Sequence, residues 1–179
     1  MPATKILLTA PKGPQSIADG TPNATATLGD ISAQRTFDPD DLDIGTIVRL
    51  RARGEYTCGS TATNGTCGFY YGGATANKPL ATLSAQAMTI SQTSIPWWME
   101  YEGEIRATGA SGSIQGMGMI WWPSSLTAGT WIAIPSTLAA RTVTIDTTTR
   151  QPVTVAGLVS QVTGAPTIKA YSLTLETIG

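Results

Sequence analysis

The chain has 179 residues and a formal net charge of −1, so it is long enough for one ordinary domain and carries no strong field that would attract nucleic acid or an anionic membrane. It contains no histidine, so the commonest general base and metal ligand is missing, and we expect neither an enzyme nor a bound metal or other cofactor. Charged residues make up 13% of the sequence, about half the usual share, which suits either an all-β domain with a polar surface or a domain largely covered by neighbouring subunits.

The first 44 residues differ from the rest of the chain. They contain five prolines and little regular alternation except at 5–9, where an edge strand is predicted. We predict that residues 1–44 form an extended N-terminal arm that lies on a neighbouring molecule, although a partly disordered terminus would give the same pattern. The apolar residues available for such a contact are Ile6, Leu7, Leu8, Leu28 and Ile31. No secretory signal is recognisable, so synthesis in a cytoplasm without a signal peptide is expected.

From residue 45 onward the pattern becomes regular. Residues 46–58 alternate between two faces, which predicts a half-buried strand. The dipeptide Asn64-Gly65 follows and is a strong hairpin signal, so residues 67–71 are predicted as the returning strand. Further strands are predicted at 85–91, 97–108, 113–122, 130–134, 142–145, 152–160 and 167–178, with one helical turn near 136–141.

The number of strands and the residues between them predict the fold class. Eight or nine strands in about 135 residues, separated by Gly, Ser, Thr and Pro, are typical of a two-sheet sandwich or jelly roll. We therefore predict an all-β protein, an antiparallel two-sheet jelly-roll sandwich over residues 45–179 preceded by the extended arm over residues 1–44.

Two cysteines flank the predicted hairpin. Cys58 and Cys67 would lie near opposing ends of its strands, so a disulfide across the hairpin is geometrically feasible. Such a bond would close a short loop and contribute at most about 2–3 kcal/mol. The alternative is a pair of reduced, half-buried thiols, and the sequence leaves both open.

Charged side chains recur at every second position of two predicted strands. They are Arg49, Arg51 and Arg53 on one strand and Glu100, Glu102 and Glu104 on the other. If the strands were neighbours, these pairs would set their register or dock one subunit on the next, at roughly 0.2–1 kcal/mol per pair. We favour the simpler interpretation, two solvated outer faces that never meet. The glutamates are spaced along a flat strand without a facing cleft, so glycosidase-type catalysis is not expected.

Two Trp–Trp pairs occur in the predicted strands, and each pair places one indole on each face of its strand. The inward indoles are Trp97 and Trp122. Alternation puts Trp98 on the face of the glutamates and Trp121 on the face of Met117 and Met119. An outward Trp beside Met residues is typical of a subunit or partner interface. The alternative is a platform on which sugar rings stack.

Several short segments occur in a recognisable order. They are GTIVRL at 45–50, PWWME at 96–100, GASGS at 109–113, TIDTT at 144–148 and LTLE at 173–176. In this succession the chain resembles small virion structural proteins of tailed phages, which are tumour-necrosis-factor-like jelly rolls. The resemblance covers about residues 45–179 and leaves out the arm. It implies a homotrimer with jelly-roll cores packed around a three-fold axis.

The resemblance also implies a function. We expect a capsid decoration (cement) protein on the virion surface, whose partners are its own copies and the major capsid protein. The alternative is a tail-associated receptor-binding or fibre-tip protein that engages host surface glycan. Neither implies nucleic acid or a membrane. In both cases the arm, the alternating charges and the outward Trp and Met side chains would form the partner interfaces.

Overall fold

The computed structural model describes residues 4–8, 15–17, 29–31, 35–73, 76, 78–161 and 163–179. Within these residues the chain forms β-strands and two short 3-10 turns, Pro39–Asp41 and Ala139–Arg141, and no α-helix. The strands are β1 (Thr4–Leu8), β2 (Gln15–Ile17), β3 (Gly29–Asp30), β4 (Arg35–Phe37), β5 (Ile47–Cys58), β6 (Thr63–Tyr71), β7 (Lys78–Thr82), β8 (Gln86–Met88), β9 (Gln92–Ala107), β10 (Gly112–Pro123), β11 (Gly129–Ile134), β12 (Thr142–Ile145), β13 (Gln151–Val159) and β14 (Thr167–Ile178). The predicted all-β class is confirmed.

The strands form two antiparallel sheets that pack face to face. The larger sheet has the order β1-β14-β5-β9-β10-β11, with β12 also paired to β10 and β2 to β14. The smaller sheet has the order β3-β13-β6-β7, with β4 also paired to β13 and β8 to β6. In both sheets a late strand lies between early ones, and the connections after β2, β4, β5, β8, β12 and β13 join strands of different sheets. The chain is therefore an antiparallel two-sheet sandwich, as predicted.

Alternation along the long strands builds the core between the sheets. The core includes Val48, Leu50, Tyr56, Trp97, Tyr101, Ile120, Val155 and Leu175, all of which are buried. Burying a side chain of this size contributes about 1.5–3 kcal/mol. The inward assignment of Trp97 and Trp122 is confirmed.

Two aromatic residues of this core, Tyr56 and Trp122, keep their polar atoms hydrogen-bonded. Tyr56 stacks on Trp122 with ring centroids 5.0 Å apart. The Tyr56 hydroxyl donates to the Pro123 carbonyl at 2.7 Å, and the Trp122 indole nitrogen donates to the Ala87 carbonyl at 3.0 Å. These bonds tie β5 and β10 to the neighbouring connections and remove the penalty of burying unpaired polar atoms.

The described parts of the first 44 residues lie on the sandwich of the same chain. Strand β1 pairs with β14 at the edge of the larger sheet, while β3 and β4 pair with β13 in the smaller one. Ile31, Phe37 and Leu42 are buried in the common core. Ile31 was expected to be free for contact with a neighbouring molecule, and that expectation is wrong because this chain already covers it completely.

The predicted Asn64-Gly65 hairpin is wrong. Both residues lie inside β6, where they pair with β8 and β13. After β5 ends at Cys58, the chain turns near residues 59–62 and crosses to the other sheet. A β-turn dipeptide signals a reversal only where the flanking strands can pair with each other, and β5 instead pairs with β9 and β14.

The disulfide hypothesis depended on that hairpin. Cys58 and Cys67 belong to strands of different sheets, and both are free, buried thiols. The disulfide, which was one of the two alternatives that the sequence left open, is therefore not formed. Burial raises the pKa of the Cys67 thiol to about 12 and also raises the pKa of Cys58.

The two thiols are expected to be inert in the folded protein. The thiolate is the reactive form, and burial both disfavours it and excludes the reagent. A colorimetric disulfide reagent near neutral pH should modify neither cysteine before unfolding and both afterwards. Rapid modification of the native protein, or no free thiol after denaturation, would contradict this assignment.

Candidate interaction surface

The outer face of the larger sheet, which points away from the smaller sheet, gathers the predicted site residues of the sandwich. The pairing register of β5, β9, β10 and β11 aligns their outward side chains in rows across the strands. The rows are Arg53, Trp98, Trp121 and Trp131; Arg51, Glu100, Met119 and Ala133; and Arg49, Glu102 and Met117. Glu104 continues the glutamate column of β9 beyond these rows. The face is therefore charged over β5 and β9 and apolar over β10 and β11.

The arginine and glutamate columns, which we call the charge ladder, are adjacent and paired. Arg49 Nη2 lies 2.7 Å from Glu102 Oε2, and Arg51 Nε lies 3.9 Å from Glu100 Oε2. Glu176 of β14 lies on the other side and reaches both arginines, at 3.5 Å and 3.8 Å. The hydrogen bonds that Arg49 donates to Glu102 are the main reason why the pKa of Arg49 is raised. The favoured interpretation, that the two charged faces never meet, is wrong because β5 and β9 are neighbours in the sheet.

Two members of the predicted charge set are not paired across these strands. Glu104 pairs with Arg106 on its own strand at 3.0 Å. Arg53 lies opposite Trp98 in the register rather than opposite a glutamate, and no carboxylate of the described residues forms an ion pair with it. Arg53 is therefore the one arginine of the ladder that remains available for an anion among the described groups.

The apolar half of the face contains large exposed side chains. Met117, Met119 and Trp131 keep 50%, 42% and 55% of their surface exposed, which is unusual for residues of this type. Trp98 and Trp121, which were predicted to point outward, do so but are only half-exposed. A contiguous patch of this kind is typical of an interaction site.

Trp131 explains why Trp98 and Trp121 are half-covered. Its ring centroid lies 5.4 Å from Trp98 in an edge-on arrangement and 5.3 Å from Trp121 in a tilted one. Aromatic pairs at these separations stabilise each other beyond the area they bury. The sequence interpretation missed Trp131, although its position one step out of phase with Ile132 and Ile134 in β11 was a usable signal.

A groove that we call the tryptophan groove runs beside this cluster. It has a volume of about 540 Å³. Its lining residues are Arg53, Gly54, Glu55, Pro96, Trp97, Trp98, Trp121 and Tyr171. Gly54 is required at its base because a Cβ atom there would lie 2.4 Å from the Trp97 ring and 1.8 Å from the Lys169 carbonyl.

The polar end of the groove is held by Glu55. Its side chain is largely buried, and Lys169 Nζ lies 3.4 Å from its Oε1 atom. Tyr171 also donates a hydrogen bond to this carboxylate, and that bond, followed by burial, raises the pKa of Tyr171 to about 12. The negative charge of Glu55 is thus offset by a cation within the same chain.

The described residues contain no group of three His, Cys, Asp or Glu side chains that could hold a metal ion. The ladder glutamates lie along an open sheet and are engaged with arginines, so they lack the facing pair of carboxyl groups that acid–base cleavage requires. The exposed apolar side chains make this surface suited to binding.

Three of the predicted interface residues lie in the arm, on β1. Ile6, Leu7 and Leu8 belong to β1, which pairs with β14. The structure does not describe their side chains, so the predicted contact of these side chains with a partner stays a prediction.

In the described part of the chain no helix is long and apolar enough to cross a membrane. Comparison with known proteins finds no matching family model, no matching curated protein and no matching solved structure.

Proposed function

We propose that this chain is a non-enzymatic virion structural protein of a tailed phage, a homotrimer that decorates and stabilises the assembled capsid. The observation that supports this most strongly is the exposed apolar half of the outer face, centred on Met117 and Met119. Met and Trp are enriched at subunit interfaces, and monomeric proteins rarely expose a contiguous apolar patch of this kind.

The charge ladder is compatible with burial between subunits. Arg49 and Arg51 are already paired with glutamates of their own chain. A second copy that covers this region would therefore not have to supply counter-charges, and the desolvation cost of the ladder is reduced. The apolar half supplies the hydrophobic contact, and the ladder forms its polar border.

Decoration would act through mass action. A protein that binds the assembled shell and not the free capsid subunit shifts the equilibrium toward the shell. The major capsid protein is the partner in this proposal, and the site of action is the virion surface. The segment before residue 29 is the proposed anchor. Its strands β1 and β2 pair with β14, whereas the later part of the arm places buried side chains in the core of its own chain.

A co-sedimentation experiment tests this proposal. The full-length protein should pellet with assembled shells and not with unassembled capsid protein. Deletion of residues 1–28 should abolish pelleting. The truncated protein should remain folded, and therefore trimeric, because it keeps the core residues Ile31, Phe37 and Leu42. Failure of the full-length protein to bind shells would reject decoration, and undiminished binding by the truncated protein would reject the anchor.

The second candidate is a tail-associated receptor-binding or fibre-tip protein that engages host surface glycan. The tryptophan groove favours it, because aromatic side chains stand there beside hydrogen-bonding groups. A protein that ignores shells but binds host cells would support this candidate over capsid decoration.

A further inference from the structure

We propose that the tryptophan groove binds an acidic sugar residue, with the carboxylate on Arg53 and the pyranose ring against Trp98 and Trp121. The inference rests on the groove of a single chain. It requires that the self-association surface proposed above, centred on Met117 and Met119, leaves the neighbouring row of Arg53, Trp98 and Trp121 uncovered.

The electrostatic balance of the groove favours an anion. Arg53 is exposed and has no ion-pair partner among the described residues, in contrast to Arg49 and Arg51. The carboxylate at the other end, Glu55, is offset by Lys169. The groove therefore presents one uncompensated positive charge, and a guanidinium binds a carboxylate through two parallel hydrogen bonds.

The walls favour a sugar over other anions. The faces of indole rings are electronegative and attract the weakly positive C–H groups on the apolar side of a pyranose. Trp98 and Trp121 are directly opposite each other in the register, and Trp131 packs against both. Because these rings are already held in place, little side-chain entropy is lost when a ligand binds.

The polar end supplies partners for sugar hydroxyl groups. The Glu55 carboxylate is an acceptor, and the Tyr171 hydroxyl, which donates its proton to Glu55, keeps its oxygen available as a second acceptor. A simple carboxylate without hydroxyl groups, such as acetate, would use Arg53 but would leave this end without hydrogen bonds. The groove volume of about 540 Å³ lies in the range of small-ligand sites.

The test uses two sugars that differ only in the acid group, methyl glucuronide and methyl glucoside. Binding is read from the NMR signals of the indole N–H groups. The chain has five tryptophans, and Trp122, which is buried and does not line the groove, serves as an internal reference. The signals of Trp98 and Trp121 should shift, with affinity for the glucuronide in the millimolar range or tighter and about tenfold above that for the glucoside.

Three variants locate the interaction. Arg53→Gln should remove the preference for the acid and leave glucoside binding within about twofold, whereas Trp98→Ala should weaken binding of both sugars. Arg106→Gln is the matched control, an exposed arginine on the same face that is paired with Glu104, and it should change neither affinity. Unchanged thermal unfolding of each variant excludes misfolding as the cause.

Several results would overturn the inference. These are equal binding of the two sugars, glucuronide binding that survives Arg53→Gln, and stronger binding of an acidic peptide than of the glucuronide. Sugar binding that appears only when self-association is disrupted would also overturn it, because the groove would then be a subunit contact. Sedimentation and shell binding report on the proposed function separately, so either proposal can fail without the other.

Discussion

Deletion of residues 1–44 is expected to unfold the sandwich, and not merely to release an arm. The deletion removes Ile31, Phe37 and Leu42, all of which are buried in the core. Loss of one large buried side chain costs about 2–5 kcal/mol, whereas the whole stability of a domain is about 5–15 kcal/mol. Circular dichroism during heating should show no cooperative transition for this variant.

The same deletion also breaks polar contacts that hold β14 in place. The buried Arg35 guanidinium donates from Nε and Nη2 to the Leu173 carbonyl, at 3.1 Å and 2.9 Å. Loss of these donors removes two hydrogen bonds from the buried Leu173 carbonyl oxygen, and this loss is destabilising. Deletion of residues 1–28 is the control, since it spares these residues and should preserve cooperative unfolding. A 1–44 deletion variant that unfolds as cooperatively as the full chain would show that the N-terminal region is dispensable for the fold.

Met119→Lys is expected to dissociate the assembled protein without unfolding it. Met119 is exposed in the single chain and lies opposite Glu100, so the introduced ammonium group is tolerated in the monomer. At a subunit contact the same charge would be buried among apolar side chains, and weakening of association by about a hundredfold or more is expected. Sedimentation velocity over a dilution series measures this change.

Leu126→Lys provides the comparison for that experiment. Leu126 is still more exposed than Met119 but lies in the turn between β10 and β11, away from the rows of the outer face. This variant should keep the wild-type mass at every concentration. Equal sedimentation of the Met119 and Leu126 variants would show that the outer face is not where the copies meet.

The local pattern of the strands could be predicted from the sequence because alternation is a local property. The strands now defined as β9 to β14 were predicted to within a few residues except at the start of β9, and the inward and outward assignments of Trp97, Trp98 and Trp121 are confirmed. The edge position of β1 and the helical turn at Ala139–Arg141 also match. Each of these features depends on side chains within about ten residues of one another.

The pairing of strands could not be predicted, because it depends on contacts between distant parts of the chain. The Asn64-Gly65 signal suggested a hairpin, yet β5 and β6 lie in different sheets. The neighbouring positions of β5 and β9 turned two separate charge columns into one paired ladder. Trp131 joins Trp98 only through two successive strand pairings, so no local pattern could have revealed the three-tryptophan cluster.

The mass of the purified full-length protein in solution tests most directly the claim that the outer face is a self-association surface. Native mass spectrometry, confirmed by sedimentation equilibrium, should give three times the mass of the 18.6 kDa chain, with Met117 and Met119 protected from oxidation. A protein that remains a single chain at all concentrations, with both methionines freely oxidised, would contradict the account.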